Sequence, residues 1–404
     1  MQTCVEAARA MDLANRYGAR NYAPLPVVLE RGEGVHVYDC DGKEYIDFLS
    51  SYSALSHGHR HPRIIAAMQA QLEKLTLTSR AFHNAEMGPF LQELCDYAGM
   101  SMALPMNTGA EAVETAIKAA RKWAYAVKGV PRHEADIVAC ADNFHGRTVT
   151  VISFSTETLY RDDFGPFTPG FTVIPYGDTA ALEAAITPNT AAFLVEPLQG
   201  EAGVVVPPPG FLKRAQEICA ASDVLFVLDE VQTGLGRTGR RFCFEHEDVH
   251  PDLIVVGKAL GGGVYPVSAV VGKMEILSLF RPGEHGSTFG GNPLGAAVAR
   301  EALRVLEQEQ LASRAAELGE YLMARLRSIE SPYIKEVRGK GLLIGLVLHP
   351  EAGGARRFCV ALMGQGVLCK ETHEDVIRFA PPLVITRDQI DWALERVEQV
   401  LTTI

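Results

Sequence analysis

The amino-acid sequence predicts an α/β protein with two parts: a large domain with a mainly parallel sheet, and a smaller α+β domain that both chain ends form. Short, continuously apolar runs alternate with helical patterns from about residue 107, which is typical of strands buried on both faces. After Asn292 the chain becomes strongly helical and then mixes strands with helices. The 404 residues are 47% hydrophobic, which is enough for a sizeable core in two or three domains.

Residues 56–292 are predicted to form the large domain. Pro62 suits the first turn of an amphipathic helix over residues 63–75. A second helix begins near residue 107 and ends at Gly129. The apolar runs that follow predict buried strands at 136–140, 148–154, 191–196, 224–229, 253–257 and 268–272.

The two chain ends are predicted to pack together. Residues 1–55 read as an extended segment with a hairpin near 30–39, and this segment is expected beside the smaller domain. Residues 293–404 form that smaller domain. Its predicted elements are helices through about residue 329, a strand at 341–348, a further helix, a strand near 376–380 and a terminal helix from about Arg387.

Composition and charge exclude several functions. The 38 basic and 49 acidic residues leave a net charge of −11 without any basic block, so a nucleic-acid partner is not expected. The longest apolar runs are the size of strands, which argues against a membrane span. Eight scattered cysteines without a C-x-x-C pair indicate reduced thiols. Because the N-terminal stretch has no apolar signal region, the expected location is cytoplasmic.

Three sequence motifs match the patterns of known binding sites but lack the neighbouring elements that those sites require. GLGRTG (234–239) matches a dinucleotide pattern, but no helical stripe follows it, so a turn with a structural or lid role is expected. An H-E-x-x-H match at 246–250 is followed at once by Pro251, which leaves too little helix for zinc. No metal site is predicted, and a loop cluster of histidines is expected to be satisfied locally: His57, His59 and His61.

Two charged residues follow neighbouring apolar runs. Asp229 ends the run VLFVL, and Lys258 follows LIVVG, so both are expected at the carboxyl edge of one parallel sheet, where α/β proteins bind ligands. Lys258 precedes small and apolar residues. Desolvation there would lower the pKa of its amine and suit it to attack a carbonyl. A strand-end lysine that simply reaches solvent is an equally good interpretation of this position alone.

Other residues complete the set that a pyridoxal 5'-phosphate (PLP) site needs. The segment Asn107-Thr108-Gly109-Ala110 directly precedes a helix, whose N-terminus attracts phosphate, although such a segment is also an ordinary helix cap. Asp229 could hold the pyridine nitrogen, and Phe144 could stack on the ring. The sequence therefore predicts PLP as the cofactor.

Six stretches in this order and spacing resemble class III, subgroup II aminotransferases: NTGAEAVETAIKAARKW, DNFHGRT, VEPLQGEAGVVVPPPG, LDEVQTGLGRTG, GKALGGGVYPVSAVVG and HGSTFGGNPLG. Further stretches are similar to the ornithine aminotransferases of that family: RYGARNYAPLPVVLERGEGVHVYD, DFLSSYSALSHGHRHP, LTLTSRAFHN, RGKGLL and VIRFAPPLVI. The resemblance covers about residues 15 to 400 and implies the PLP-transferase fold of type I.

The resemblance also implies roles in the cofactor site. Lys258 would bind PLP covalently, Asp229 would pair with the ring nitrogen and Phe144 would stack on the ring. Gln232 would lie beside the phenolic oxygen. The phosphate would be held by Thr108, Gly109 and Ala110, and by Ser287 and Thr288 of a second subunit, because in this family a homodimer shares its two sites. An assembly larger than the dimer stays open.

For substrates, the resemblance implies L-ornithine and 2-oxoglutarate in two poses. Tyr22 and Arg147 would bind the α-carboxylate of ornithine, far from the cofactor. Arg378 would bind the α-carboxylate of 2-oxoglutarate, and Arg147 the distal one. Glu201 would mask Arg378 while ornithine is bound, and Tyr52 would line the cleft. Without the resemblance, Arg378 would more simply be a strand-edge partner and Tyr22 a packing residue.

The implied reaction moves the δ-amino group of ornithine to 2-oxoglutarate by a ping-pong mechanism. Its products are glutamate and glutamate 5-semialdehyde, which cyclises to pyrroline-5-carboxylate. The alternatives are an acetylornithine or 4-aminobutyrate aminotransferase, a PLP-dependent aminomutase and a nucleotide-binding scaffold. His145 stands where animal ornithine aminotransferases have tryptophan, which predicts a smaller and more polar pocket wall.

Overall fold

A computed structural model describes residues 5–403 of the chain. Its helices in chain order are α1 Val5–Tyr17, α2 Ser50–Ser53, α3 Pro62–Leu72, α4 Met87–Ala98, α5 Gly109–Trp123, α6 Val149–Ile152, α7 Thr158–Arg161, α8 Thr179–Ala185, α9 Phe211–Ala221, α10 Met274–Leu277, α11 Pro293–Gln308, α12 Leu311–Arg327, α13 Arg356–Gly364 and α14 Arg387–Thr403. The short α2 is a left-handed turn, since all four of its residues have positive φ.

Within residues 5–403, fifteen strands build three sheets. They are β1 Leu29–Glu33, β2 His36–Asp39, β3 Glu44–Asp47, β4 Met102–Met106, β5 Asp136–Cys140, β6 Phe171–Ile174, β7 Thr190–Val195, β8 Leu225–Asp229, β9 Leu253–Val256, β10 Ser268–Gly272, β11 Ile334–Lys340, β12 Leu343–Leu348, β13 Val367–Leu368, β14 Lys370–Thr372 and β15 Val376–Phe379.

The central sheet has seven strands in the order β4-β10-β9-β8-β7-β5-β6. Only β10 runs against its neighbours, and the other pairs are parallel. Every residue of β7, β8, β9 and β10 is buried, as expected for strands covered on both faces. The α/β prediction with a mainly parallel sheet is confirmed. Because β8 and β9 are adjacent and parallel, their carboxyl ends open on one edge.

Two smaller sheets lie in the parts of the chain before and after the central sheet, and one of them joins the two chain ends. In one, β1, β2 and β3 form an antiparallel meander, and β3 pairs with β13 so that Ile46 lies opposite Val367. The other sheet has the order β11-β12-β15-β14. The predicted hairpin near residue 30 and the packing of the N-terminal segment beside C-terminal strands are therefore observed. The domain boundaries after residues 55 and 292 stay predictions, and residues 1–4 and 404 lie outside the described residues.

Several local predictions were wrong. Residues 148–154, predicted as a strand, contain helix α6, whose Val151 and Ile152 are buried while Val149 is exposed. The extended N-terminal stretch includes helix α1, which is rich in alanine and other good helix formers. The strands that the sequence did not predict are β3, β4, β6, β11, β13 and β14. None of the helices within residues 5–403 is long and apolar enough to cross a membrane.

Candidate active site

Lys258 and Asp229 lie at the carboxyl edge of the central sheet. Asp229 is the last residue of β8, and Lys258 follows β9 by one glycine. Both line one cavity, the cofactor cavity, with Gly109, Ala110, Phe144 and Gln232 among the other lining residues. Burial lowers the pKa of the Lys258 amine, because charging a desolvated amine is costly, although Glu201 acts in the opposite direction. The sheet thus brings together the residues that the sequence placed at strand ends.

Asp229 is hydrogen-bonded to a buried histidine. Nδ1 of His145 lies 2.7 Å from Oδ2 of Asp229, and both side chains are buried. Burial by itself would lower the pKa of His145, but the hydrogen bond and the negative charge of Asp229 outweigh it and leave the pKa raised. The sequence predicts His145 in the pocket wall but not this contact, for which no local motif gives a signal.

The N-terminus of α5 borders the cavity. Thr108 caps the helix: its hydroxyl accepts a hydrogen bond from the Glu111 amide at 3.2 Å, while Glu111 accepts one from the Thr108 amide at 2.8 Å. Gly109 and Ala110 line the cavity. A Cβ atom on Gly109 would lie 3.1 Å from Val231, so this close backbone approach suits glycine. Unpaired amides and the helix dipole at this end favour phosphate.

Phe144 lines the cavity beside a buried carboxyl group. Its amide donates to Oε2 of Glu196 at 3.0 Å, and its ring packs edge-to-face on Tyr160 at 5.8 Å. Burial raises the pKa of Glu196 to about 8, an effect that neighbouring Asp229 reinforces. Glu196 was not predicted as a site residue, since its place in the run VEP gives no chemical signal.

Gln232 carries an unsatisfied polar group into the cavity wall. Its Nε2 donates to Glu201 at 2.9 Å, whereas its buried Oε1 has no partner among residues 5–403. Gly200 makes room for this side chain, because a Cβ there would lie only 1.4 Å from Oε1 of Gln232. Because Oε1 is a carbonyl oxygen, only a hydrogen-bond donor can satisfy it.

Glu201 stands where the cofactor cavity meets a larger cleft of about 720 Å³. Its Oε1 accepts a hydrogen bond at 2.7 Å from the buried guanidinium of Arg378. Burial alone would raise the pKa of Glu201, but the positive charges of Arg378 and Lys258 lower it to about 2. Tyr52, in the left-handed turn α2, places its ring 4.7 Å from the same guanidinium. Glu201 therefore neutralises Arg378 in this structure.

The far side of the cleft carries a second arginine. Arg147 lies against the rings of Tyr22, at 5.8 Å, and Tyr160, at 4.7 Å. In the described part of the chain no carboxylate pairs with Arg147, so its charge is available to an anionic ligand. Tyr22 is 69% exposed and does not serve as a core residue.

Ser287 and Thr288 lie outside the cofactor cavity of their own chain. The hydroxyl of Ser287 accepts a hydrogen bond from Asn107 at 2.9 Å, which anchors this loop near the start of α5. Their role in the phosphate site of a second subunit stays a prediction.

The other motifs singled out in the sequence form hydrogen bonds that hold the fold together. Arg237 in GLGRTG is buried and donates to the carbonyl oxygens of Leu342 and Pro381 and to Ser56, which confirms the structural role. Each loop histidine bonds through Nε2, His57 to the Ala302 carbonyl, His59 to Asp47 and His61 to Glu309. Between residues 5 and 403, no cluster of His, Cys, Asp and Glu could hold a metal ion. The seven cysteines in this range form no disulfide with one another, and Cys4 lies outside it.

Comparison with known proteins assigns the chain to a family. The sequence profile of the class-III aminotransferases matches residues 17–401. The chain belongs to the class III aminotransferase family. Among relatives of this class III enzyme, the ornithine aminotransferase of Brevibacillus brevis is 59% identical over 97% of both chains.

Solved structures of other class III enzymes agree with the fold. Ornithine aminotransferase from Toxoplasma gondii, described with partial occupancy of PLP at its active site, superposes with a TM-score of 0.96 at 47% identity, covering 99% of this chain and 97% of that one. Acetylornithine aminotransferase from Elizabethkingia anophelis gives 0.91 at 50% identity over 98% of each chain.

Proposed function

We propose that this class III aminotransferase uses PLP to transfer the δ-amino group of L-ornithine to 2-oxoglutarate. The products are glutamate and glutamate 5-semialdehyde, which cyclises to pyrroline-5-carboxylate. The observation that carries this proposal is the ion pair of Glu201 with Arg378, at 2.7 Å, beside the cofactor cavity, while Arg147 stands uncompensated across the cleft. While Glu201 masks Arg378, the available Arg147 suits an amine donor with one carboxylate. When Glu201 releases Arg378, the two arginines together suit a dicarboxylate.

The residues of the cavity fit PLP. The lowered pKa of Lys258 favours a neutral amine that can bind an aldehyde, and Asp229 would hold the ring nitrogen in its protonated form. Phe144 would cover the ring, the side chain of Gln232 would lie beside the phenolic oxygen, and the N-terminus of α5 would hold the phosphate. When bound, PLP supplies a carbonyl that accepts the amino group and a ring that delocalises negative charge from the reacting carbon.

Lys258 also serves as the general base. A neutral Nζ can take up the proton that leaves Cδ of ornithine and hold it for the return transfer. Lys258 has no hydrogen-bond partner among the described residues, so its amine is free to move between these positions.

The arginines select the two substrates. With Arg378 neutralised by Glu201, the near end of the cleft admits the amine end of ornithine, which has no carboxylate, and Arg147 with Tyr22 receives the α-carboxylate. For 2-oxoglutarate, Glu201 must leave Arg378 so that the guanidinium binds the α-carboxylate, while Arg147 takes the distal one. The side chain of Glu201 acts as a switch between the two half-reactions.

A single-turnover experiment tests the proposal. With PLP-loaded enzyme and ornithine alone, we expect one equivalent of pyrroline-5-carboxylate per site, trapped with 2-aminobenzaldehyde. Later addition of 2-oxoglutarate to the gel-filtered enzyme should yield one equivalent of glutamate. A Lys258→Ala variant should give neither product. Continuous turnover without 2-oxoglutarate would instead identify an aminomutase.

Acetylornithine is the second candidate donor, because an acetylornithine aminotransferase is 50% identical to this chain. The exposed Tyr22 beside Arg147 favours ornithine, since an acylated α-amine would crowd this end of the cleft. We expect kcat/KM for ornithine to exceed that for N-acetylornithine and for 4-aminobutyrate, and the reverse order would reassign the substrate.

We further propose a cytoplasmic homodimer with shared sites. The loop of Ser287 and Thr288 supports this arrangement, because neither residue lines the cofactor cavity of its own chain. Cysteines without disulfides suit a reducing compartment.

A further inference from the structure

An irregular segment of the chain crosses the mouth of the substrate cleft. Residues 18–25, here called the N-terminal arm, follow helix α1 and contain no helix or strand. The cleft is lined in part by Asn21, Tyr22, Ala23, Pro24 and Leu25 of this arm. The arm thus carries Tyr22 to its position over Arg147 without regular backbone pairing of its own.

One side chain of the smaller domain holds the arm in place. Arg356, the first residue of α13, donates from Nη1 to the carbonyl oxygen of Ala23 and from Nη2 to that of Pro24, each at 3.2 Å. Within residues 5–403, these are the only hydrogen bonds that residues 19–24 make. The two carbonyl groups directly follow Tyr22, so Arg356 fixes the backbone that presents its ring.

The same guanidinium is fixed by a carboxylate in the cleft wall. Nη1 of Arg356 lies 2.7 Å from Oε1 of Glu371, whose side chain is only 16% exposed. Glu371 belongs to β14 and also accepts a hydrogen bond from Lys370. Glu371 thereby orients the fork of Arg356 toward the arm. A planar guanidinium can serve one carboxylate and two carbonyl groups at once, which an ammonium cannot do in this geometry.

The contacts continue from this strand to the switch residue. Thr372, next to Glu371 in β14, donates its hydroxyl to the carbonyl oxygen of Glu201. Glu201 in turn pairs with Arg378 of the neighbouring strand β15. Neighbouring residues of β14 therefore contact both Arg356, which holds the arm, and the Glu201 switch.

We propose that Arg356 is a positioning residue that sets the preference for amine donors with a carboxylate at the far end of the molecule. By clamping the N-terminal arm, it holds Tyr22 beside Arg147, where the α-carboxylate of ornithine binds. Amine donors without that carboxylate gain nothing from the clamp. This inference rests on the proposed function and adds the residue that builds its distal subsite.

The test compares Arg356→Ala with wild type in the amine half-reaction, using ornithine and 1,4-diaminobutane, which lacks the carboxylate. We expect KM for ornithine to rise roughly tenfold, the usual effect of losing an interaction with a charged group, with kcat changed less than about twofold. For 1,4-diaminobutane, and for 2-oxoglutarate in the second half-reaction, the variant should match wild type within about twofold.

Arg357→Ala is the matched control. Arg357 is the next residue of α13, but its guanidinium lies over the rings of Tyr333 and Phe358 and contacts neither the arm nor the cleft. This variant should keep the wild-type KM for ornithine. Arg356→Lys keeps the charge but loses the fork, and should fall between wild type and Arg356→Ala.

Limited proteolysis provides a readout independent of turnover. Trypsin should cleave after the exposed Arg20 of the arm faster in Arg356→Ala than in Arg357→Ala, while the melting temperatures agree. Equal KM values for ornithine in the two alanine variants, an equal loss with 1,4-diaminobutane, or unchanged cleavage after Arg20 would each overturn the inference. Failure of the wild-type enzyme to use ornithine would instead overturn the proposed function.

Discussion

Individual residues of the cofactor cavity differ in how far the sequence predicts them. Lys258 and Asp229 each end an apolar run, so their place at the carboxyl edge follows from local pattern and from the geometry of parallel sheets. The hydrogen bond of His145 to Asp229 joins residues 84 positions apart. The burial of Glu196 depends on the residues that pack around it in the folded protein. Such contacts have no local signature, because they arise only when the chain is folded.

Removing the imidazole of His145 should impair catalysis. His145→Phe removes the partner of Oδ2 of Asp229 and leaves only the Val231 amide on Oδ1, and we expect kcat to fall about 10- to 100-fold, as for residues that orient a directly acting group. His145→Asn places an amide donor near the position of Nδ1 and should lose less. Steady-state kinetics with saturating ornithine distinguish the two. A phenylalanine variant with wild-type kcat would show that the hydrogen bond is dispensable.

The raised pKa of Glu196 makes the stability of the PLP-free protein depend on pH. Between about 4.5 and about 8 the folded protein keeps a proton on Glu196 that the unfolded chain has released. The folded state binds more protons there, so its stability decreases as pH rises through this window, by at most ~1.4 kcal/mol per pH unit.

Thermal unfolding of the PLP-free protein between pH 5 and pH 9 measures this dependence. Glu196→Gln cannot ionise and should reduce the decrease in melting temperature, with the largest stabilisation relative to wild type near pH 8 and above. Parallel curves for the two proteins would mean that Glu196 titrates normally in the fold.

At the scale of single elements, contacts with the rest of the fold determine the secondary structure of segments whose intrinsic propensity predicts a different one. Residues 148–154 are rich in β-branched side chains, yet they form α6, since its buried valine and isoleucine pack beneath α5 while the loop before it carries Arg147 to the cleft. The left-handed turn α2 is likewise invisible to a periodicity argument. Four successive serine and tyrosine residues with positive φ are held there by the surrounding structure.

The loop after β7 offers a sharp test of close packing. Gly200→Ala would place a methyl group 1.4 Å from Oε1 of Gln232 and force that side chain away from Glu201. Because only a side chain must move, the protein should still fold, while kcat/KM for ornithine falls at least about tenfold.

Gly88→Ala is the control for this variant. Gly88 lies in α4, and a methyl group added to it would meet no atom within 4 Å. Alanine is also the better helix former, so stability should rise slightly at unchanged activity. A wild-type kcat/KM in Gly200→Ala would show that the Gln232 side chain can move without loss of activity.

At the scale of the whole molecule, the class of fold follows from the sequence but the joining of its ends does not. Alternating apolar runs and helices predict the central sheet, because a parallel sheet needs crossover helices. The pairing of Ile46 with Val367 links positions more than three hundred residues apart, and two-residue β13 is too short to be recognised by pattern.

A mixing experiment tests whether the two subunits share their sites. Thr288→Ala should lose affinity for PLP, and Lys258→Ala should be inactive. If Thr288 serves the partner's site, a heterodimer of these variants has one site with both residues intact, and mixing under dissociating conditions should restore activity. No gain over the separate variants would place Thr288 outside the second site.

Arg237 has a consequence for how substrates enter and leave. Its guanidinium joins the large sheet's loop to the carbonyl oxygens of Leu342 and Pro381 and to Ser56, so three distant parts of the chain meet at one buried cation. Moving residues 293–404 away from this loop would remove the carbonyl acceptors of the buried guanidinium. Leaving a buried charge without hydrogen-bond partners costs several kcal/mol. Exchange of donor and acceptor in each cycle is therefore expected to proceed through side-chain rearrangement in a nearly rigid body, and small-angle scattering should show the same profile with and without ligand.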